Sequence, residues 1–160
     1  MICDTTVIGI YEVKLVVPQA VRLKSFHAYL EKGSRVAGEV LYYLNLDWTS
    51  KNLKYEQDHL HPDNRFMGSK PASVSVTDWK RWRGMRNRLP NLHLLEGRSN
   101  GSKNDMRLVD YYNDMNDEQK VNFYKQAMIP KEVSLEIEDF ENFYEARKTI
   151  LAERIRELLG

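Results

Sequence analysis

The sequence predicts an α+β protein, mostly helical, with a few short strands set among amphipathic helices. Three observations predict it. Residues 6–17 (TVIGIYEVKLVV) are rich in β-branched side chains, a short strand candidate near residue 55 and the apolar run at 91–95 are followed by polar stretches, and residues 140–159 carry a long helical stripe.

The elements follow in order. Residues 6–17 are a strand candidate, although Glu12 and Lys14 share a face with Ile8 and Ile10. From Pro18 onward Val21, Phe26, Tyr29 and Leu30 share one helical face, with His27 read as a surface or packed helix residue. Gly33 then separates this helix from a second one over Val36 to Leu46. Residues 55–76, with Pro62, Gly68 and Pro71 among polar residues, read as a short strand running into a long functional loop. Residues 77–89 read as a helix capped by Thr77, with Trp82, Met85 and Leu89 on one face; Trp79 either packs inward or stacks on a base. Asn91 to Leu95 (NLHLL) is a strand candidate, and a helix starts near Asn100 within the polar segment that follows. Asp117 to Met128 is a helix capped by Asp117 and ended by Pro130. The final helix is marked by Phe140, Phe143, Tyr144, Arg147, Ile150, Leu151, Ile155, Leu158 and Leu159, and Gly160 closes it.

A chain of 160 residues with 42% hydrophobic and 29% charged residues fits one domain, 1–160, built without disulfides. Within it, residues 1–54 form an N-terminal strand and helical segment, 55–112 a central unit, and 113–160 a C-terminal helical segment. Lys plus Arg (24) nearly balance Asp plus Glu (23), so bulk charge names no partner. Cys3 is the one cysteine, which excludes an internal disulfide and paired CxxC zinc knuckles. No apolar stretch suffices to span a bilayer and no basic region precedes one, so a cytoplasmic protein without a membrane partner is expected.

Chemistry concentrates in the middle. Asp58 stands beside His59 at the end of an apparent strand, with His61 two residues on. Asn91 follows His59 by 32 positions and Asn100 follows Asn91 by nine, with Lys103 three further on. Singly, each has a plain reading: an exposed loop pair, a turn residue after Pro90, an Asn-Gly turn, a surface charge. Taken together, Asp-His-hydrophobe-x-Pro, then Asn-Leu-x-Leu-Leu, then Asn-x-x-Lys resembles the HNH, or ββα-metal, nuclease motif. It looks most like the C-terminal HNH domain of GmrSD-type modification-dependent restriction proteins, and similar residues occur in the HNH domains of RNA-guided nucleases. The likeness covers residues 55–105, extends weakly through Phe140 to Arg147, and leaves residues 1–35 unassigned. The nucleotide-hydrolysing domain of those proteins has no counterpart in these residues, so a separate or additional domain is one implied partner.

The resemblance implies a mostly helical domain surrounding a ββα-metal unit over residues 55–112, and an endonuclease that hydrolyses phosphodiester bonds in nucleic acid, with DNA expected, in restriction of foreign DNA. It implies His59 as general base, Asp58 and Asn100 as ligands of one Mg²⁺ or Mn²⁺, Asn91 as a brace that helps orient His59, and Lys103 as a phosphate contact. An oxygen-donating, partly filled site suits such hard cations, and an imidazole with a pKa of about 6.5 accepts a proton at neutral pH. His59 and Asn100 are expected outside the hydrophobic core. Lys80, Arg81, Arg83 and Arg86, with Arg88, stand against the single acid Asp78 and suggest a nucleic-acid-binding helix face. Two rivals remain: a zinc hydrolase with Asp58, His59 and His61 as ligands, and a non-catalytic nucleic-acid-binding module.

Overall fold

The computed structural model describes residues 30–47, 49, 53–96, 103 and 105–159. The strand expected over 6–17 and most of the helix expected from Pro18 lie outside the described residues.

Ser34 accepts a hydrogen bond from the Ala37 backbone N–H and so starts helix α1, Arg35–Leu44. Its buried side chains, Ala37, Val40, Leu41 and Leu44, recur at helical spacing on one face. Strand β1, Tyr55–His59, pairs antiparallel with strand β2, Leu92–Glu96. The register sets Asp58 opposite His93 and His59 opposite Leu92.

The chain between these strands is not one loop. It makes a 3-10 turn, Asp63–Phe66, then helix α2, Val76–Met85, then a second 3-10 turn, Leu89–Asn91. Ser75, not Thr77, caps α2: its hydroxyl accepts from the Asp78 N–H and donates to the Asp78 carboxylate. The helix stops before Leu89, because Pro90 has no N–H to continue it and the chain turns into β2 instead. Trp79 packs inward, stacked on Phe66 with ring centroids 5.7 Å apart.

After β2 comes helix α3, Leu108–Asn113, which the sequence did not reveal. Helix α4, Asp117–Ala127, is capped one residue earlier than expected, by Asn116 rather than Asp117, because Asn116 and Gln119 form a reciprocal capping box. Met128, at φ +52°, ends it in the left-handed conformation. A 3-10 turn, Ile137–Asp139, leads into helix α5, Phe140–Leu159, where periodicity placed it. The described residues thus hold five α-helices and a two-stranded sheet. No helix among them is long and apolar enough to cross a membrane.

Two apolar clusters form the core, and α5 runs through both. Its first turns place Phe140, Phe143 and Tyr144 among Leu60, Phe66, Trp79 and Trp82. Its later turns place Leu151 and Ile155 among Leu41, Leu44, Leu89 and Leu92. Between them sits Arg147, 1% exposed, donating to the carbonyls of Ala127 (2.7 Å), Leu89 (3.1 Å), Pro90 (2.6 Å) and Leu92 (2.6 Å). Burial lowers its pKa to about 9, so the guanidinium stays charged at neutral pH. Four carbonyl oxygens repay part of the cost of burying it, and the turn entering β2 is fixed in return.

Candidate active site

The pleat of β1 sends Asp58 and His59 to opposite sides of the strand, where each meets different partners. On the Asp58 side, the register brings His93 to 3.5 Å and the Lys103 ammonium reaches the same carboxylate oxygen at 2.5 Å. Lys103 also donates to the His59 backbone carbonyl. Two oxygens therefore converge on one buried cation. Burial alone would raise the Asp58 pKa, but His93 and Lys103 outweigh it and hold the carboxyl well below the usual range. Burial lowers the pKa of Lys103, against the pull of Asp58. His93, buried with its ring edge-on to Phe123, is pushed down to about 4 by desolvation.

On the other side, the His59 ring is held from both ends. Nε2 lies 2.8 Å from Oδ1 of Asn87 and Nδ1 lies 3.2 Å from Nζ of Lys32. Burial lowers the His59 pKa and Lys32 adds to this, opposed by the contact with Asn87. An imidazole in this setting is neutral, the form a general base needs.

Lys32 reaches His59 because the chain before α1 is tied down. The Lys32 N–H donates to the Asn87 carbonyl (2.7 Å), the Leu89 N–H to the Leu30 carbonyl (2.8 Å), and the backbones of Glu31 and Arg88 pair as an isolated antiparallel β-bridge. Gln57, from β1, accepts from the Gly33 N–H (2.9 Å) and donates to the Ser34 carbonyl (3.0 Å). Gly33, at φ +83°, makes the turn that lets both bonds form.

Asn91 is fully buried and hydrogen-bonded through both ends of its amide. Its Oδ1 accepts from the His61 N–H (2.9 Å), its Nδ2 donates to the carbonyls of His61 (3.0 Å) and Arg86 (2.8 Å), and its own carbonyl accepts from Leu60 (2.8 Å). One side chain thus joins the turn after β1, the end of α2 and the start of β2. It does not touch the His59 ring, whose orientation comes from Asn87 instead.

Other expected residues fall differently. His59 is only 7% exposed, so it lies in the interior rather than at an open edge, because the segment carrying Lys32 covers it. Lys103 is 1% exposed and serves as the counterion of Asp58, not as a surface phosphate contact. His61 sits edge-on to Phe140 (5.4 Å) and Phe143 (4.7 Å), and desolvation lowers its pKa to about 3. Asp58, His59 and His61 do not form a ligand set, and among the described residues no three His, Cys, Asp or Glu side chains do. Asn100 lies outside the described residues.

The basic row of α2 is spent mainly on the protein itself. Arg81 pairs with Glu141 and with Asp78 (2.8 Å), and Arg83 donates to the carbonyls of Phe66 (2.5 Å) and Met67 (3.2 Å). Arg86 meets Asp63 at 2.5 Å. Lys80 is exposed.

Sequence reasoning missed Lys32, Asn87 and His93. His93 had a signal in NLHLL, since pairing β1 against that strand sets it across from Asp58; Lys32 and Asn87 had none. No protein-family model matches the chain, and no curated protein does either.

As a chemical device, the region offers a neutral imidazole beside an ammonium and, across the strand, an anionic carboxylate facing a cation position. The Asp58 carboxylate and the His59 carbonyl are oxygen donors of the kind a hard divalent ion takes, and the buried Lys103 ammonium occupies the position between them.

Proposed function

We propose that the chain is a metal-dependent HNH endonuclease that hydrolyses phosphodiester bonds in DNA. One observation carries the reading: Asp58 and His59 end a strand whose antiparallel partner begins beside Asn91, and Asn91 ties the turn after His59 to that partner strand. An antiparallel strand pair with these residues at its ends supports reading it as the strand pair of a ββα-metal unit. Restriction of foreign DNA is the setting the resemblance implies.

In this mechanism His59 takes a proton from water as its oxygen attacks phosphorus. The new P–O bond forms as the bond to the 3′ oxygen breaks, leaving a 5′-phosphate and a 3′-hydroxyl. Asp58, with Asn100, would hold Mg²⁺ or Mn²⁺, which when bound neutralises phosphoryl charge and supports the leaving oxygen. Lys32 adds positive charge on the side where His59 works.

Plasmid DNA tests this. The purified protein nicks or cleaves it with Mg²⁺ or Mn²⁺, stops in EDTA, and loses about 10²- to 10⁴-fold in rate on His59→Ala. Cleavage indifferent to both EDTA and His59→Ala excludes the mechanism, and metal-independent binding without cleavage favours the binding-module rival.

A further inference from the structure

We propose that the groove between α3, α4 and the turn after α4 binds the sugar-phosphate backbone of a nucleic-acid strand through Lys120, Lys125 and Lys131. The inference rests on the nuclease reading for its choice of polyanion, and it places the grip on substrate at a helix face to which the sequence assigned no function.

A nuclease needs cations free to meet phosphate, and α2 supplies few, because Arg81, Arg83 and Arg86 are held by Glu141, by the Phe66 carbonyl and by Asp63. The groove supplies three. Its volume is about 570 Å³, and Lys120, Lys125 and Lys131 stand around it with Tyr112, Tyr124 and Val121. Among the described residues the lysines that form ion pairs are Lys103 and Lys148, so no carboxylate neutralises the three in the groove. Asp117 and Glu118, in the first turn of α4, do not line it.

The side chains among the lysines favour a nucleic acid over other polyanions. Lys120 lies over the Tyr112 ring (5.3 Å), Tyr112 and Tyr124 meet edge to face (5.1 Å), and Val121 on the same helix is 70% exposed. Ammonium groups set among aromatic and aliphatic side chains match a run of phosphates that carries sugars and bases with apolar faces. An acidic peptide offers the charge without those faces. Phe123, on the inner side of α4, lies edge-on to His93 (6.1 Å), which stands beside Asp58. One helix thickness, about 10–12 Å, therefore separates the groove from the candidate site, and a single strand can lie in the one and reach the other.

Fluorescence anisotropy of labelled DNA oligonucleotides, single-stranded and duplex, tests the groove in EDTA, where cleavage does not intervene. Replacing Lys120, Lys125 and Lys131 together by Gln weakens binding by about 10- to 100-fold and lowers the slope of log K against log salt by about 2–3 units. Replacing Lys54, Lys80 and Arg156 by Gln removes the same charge from exposed positions outside the groove and changes binding little. Val121→Glu, an exposed change that leaves the fold intact, weakens binding, and Val121→Lys strengthens it. A parent that does not bind, equal losses in the two triple variants, or parental affinity in Val121→Glu each overturns the proposal. So does poly-glutamate of matched charge competing as well as DNA, which would assign the groove to an acidic protein. Should the triple variant melt too low to assay, the two Val121 variants still decide. Groove-dependent binding without cleavage in Mg²⁺ or Mn²⁺ sinks the nuclease reading and leaves the groove standing. Cleavage that depends on His59, with binding indifferent to the three lysines, sinks this inference alone.

Discussion

Lys103 shows how far one side chain departs from its sequence reading once the fold surrounds it. Three residues beyond Asn100 it looked like a phosphate contact, yet it is buried against the Asp58 carboxylate and the His59 carbonyl. Lys103→Met leaves that carboxylate without its counterion and is expected to cost about 3–5 kcal/mol. Mn²⁺ should restore part of the loss by taking the vacated cation position. Thermal melts with and without Mn²⁺ check this: the variant gains more than the parent, and equal responses would mean that the position does not admit a metal. Asp58, His59 and Asn91 stood out in the sequence because their types recur at motif spacing, and His93 left a trace in the strand pattern NLHLL. Lys32 and Asn87 left none, since they arrive through tertiary approach, from a tied-down turn and a helix end.

At the scale of elements, α5 was the most legible because twenty residues of unbroken period leave little alternative, while α3, at six residues, is too short to show one. The cap of α2 was misplaced because Ser75 and Thr77 are both competent, and only the bond to Asp78 decides between them. Arg147 read as part of an apolar stripe, and spacing was right about its burial but silent about its task. Arg147→Met leaves four carbonyls without their donor and is expected to cost about 3–5 kcal/mol, read as a lower urea midpoint. Arg147→Lys should recover little, because a single ammonium cannot span carbonyls on both α4 and the turn before β2. Full recovery by lysine would show that only the charge matters.

For the molecule as a whole, buried histidines set the acid limit. The folded pKa values of His61 and His93 lie at about 3 and about 4, below their ordinary value of about 6.5, and burial lowers His59 as well. An unfolded chain takes up these protons near pH 6.5 and the folded protein does not. Stability is therefore complete above that pH and is lost as pH falls through 6.5 toward 4, at about 1.4 kcal/mol per pH unit for each histidine. Urea midpoints at pH 7 and pH 5 measure the slope, and His61→Leu should reduce it. A slope unaffected by that change would mean that His61 titrates normally. The overall α+β class was legible, since the helix stripes and the two short strands all left periodic traces. The register of those strands was not, because nothing local couples residue 58 to residue 93.

The excursion between β1 and β2 carries Trp79 and Trp82, two of the chain's three tryptophans, both packed in the cluster around Phe66 and Phe140. A hairpin with so long a connection bears a loop-closure entropy that two five-residue strands offset poorly, so the strands stay paired only while the excursion stays folded. Indole emission is then an optical gauge of His59 and Asn91, which stand at the two ends of that excursion. In a urea titration, the red shift of tryptophan fluorescence and the disappearance of the strand pairing belong to one transition.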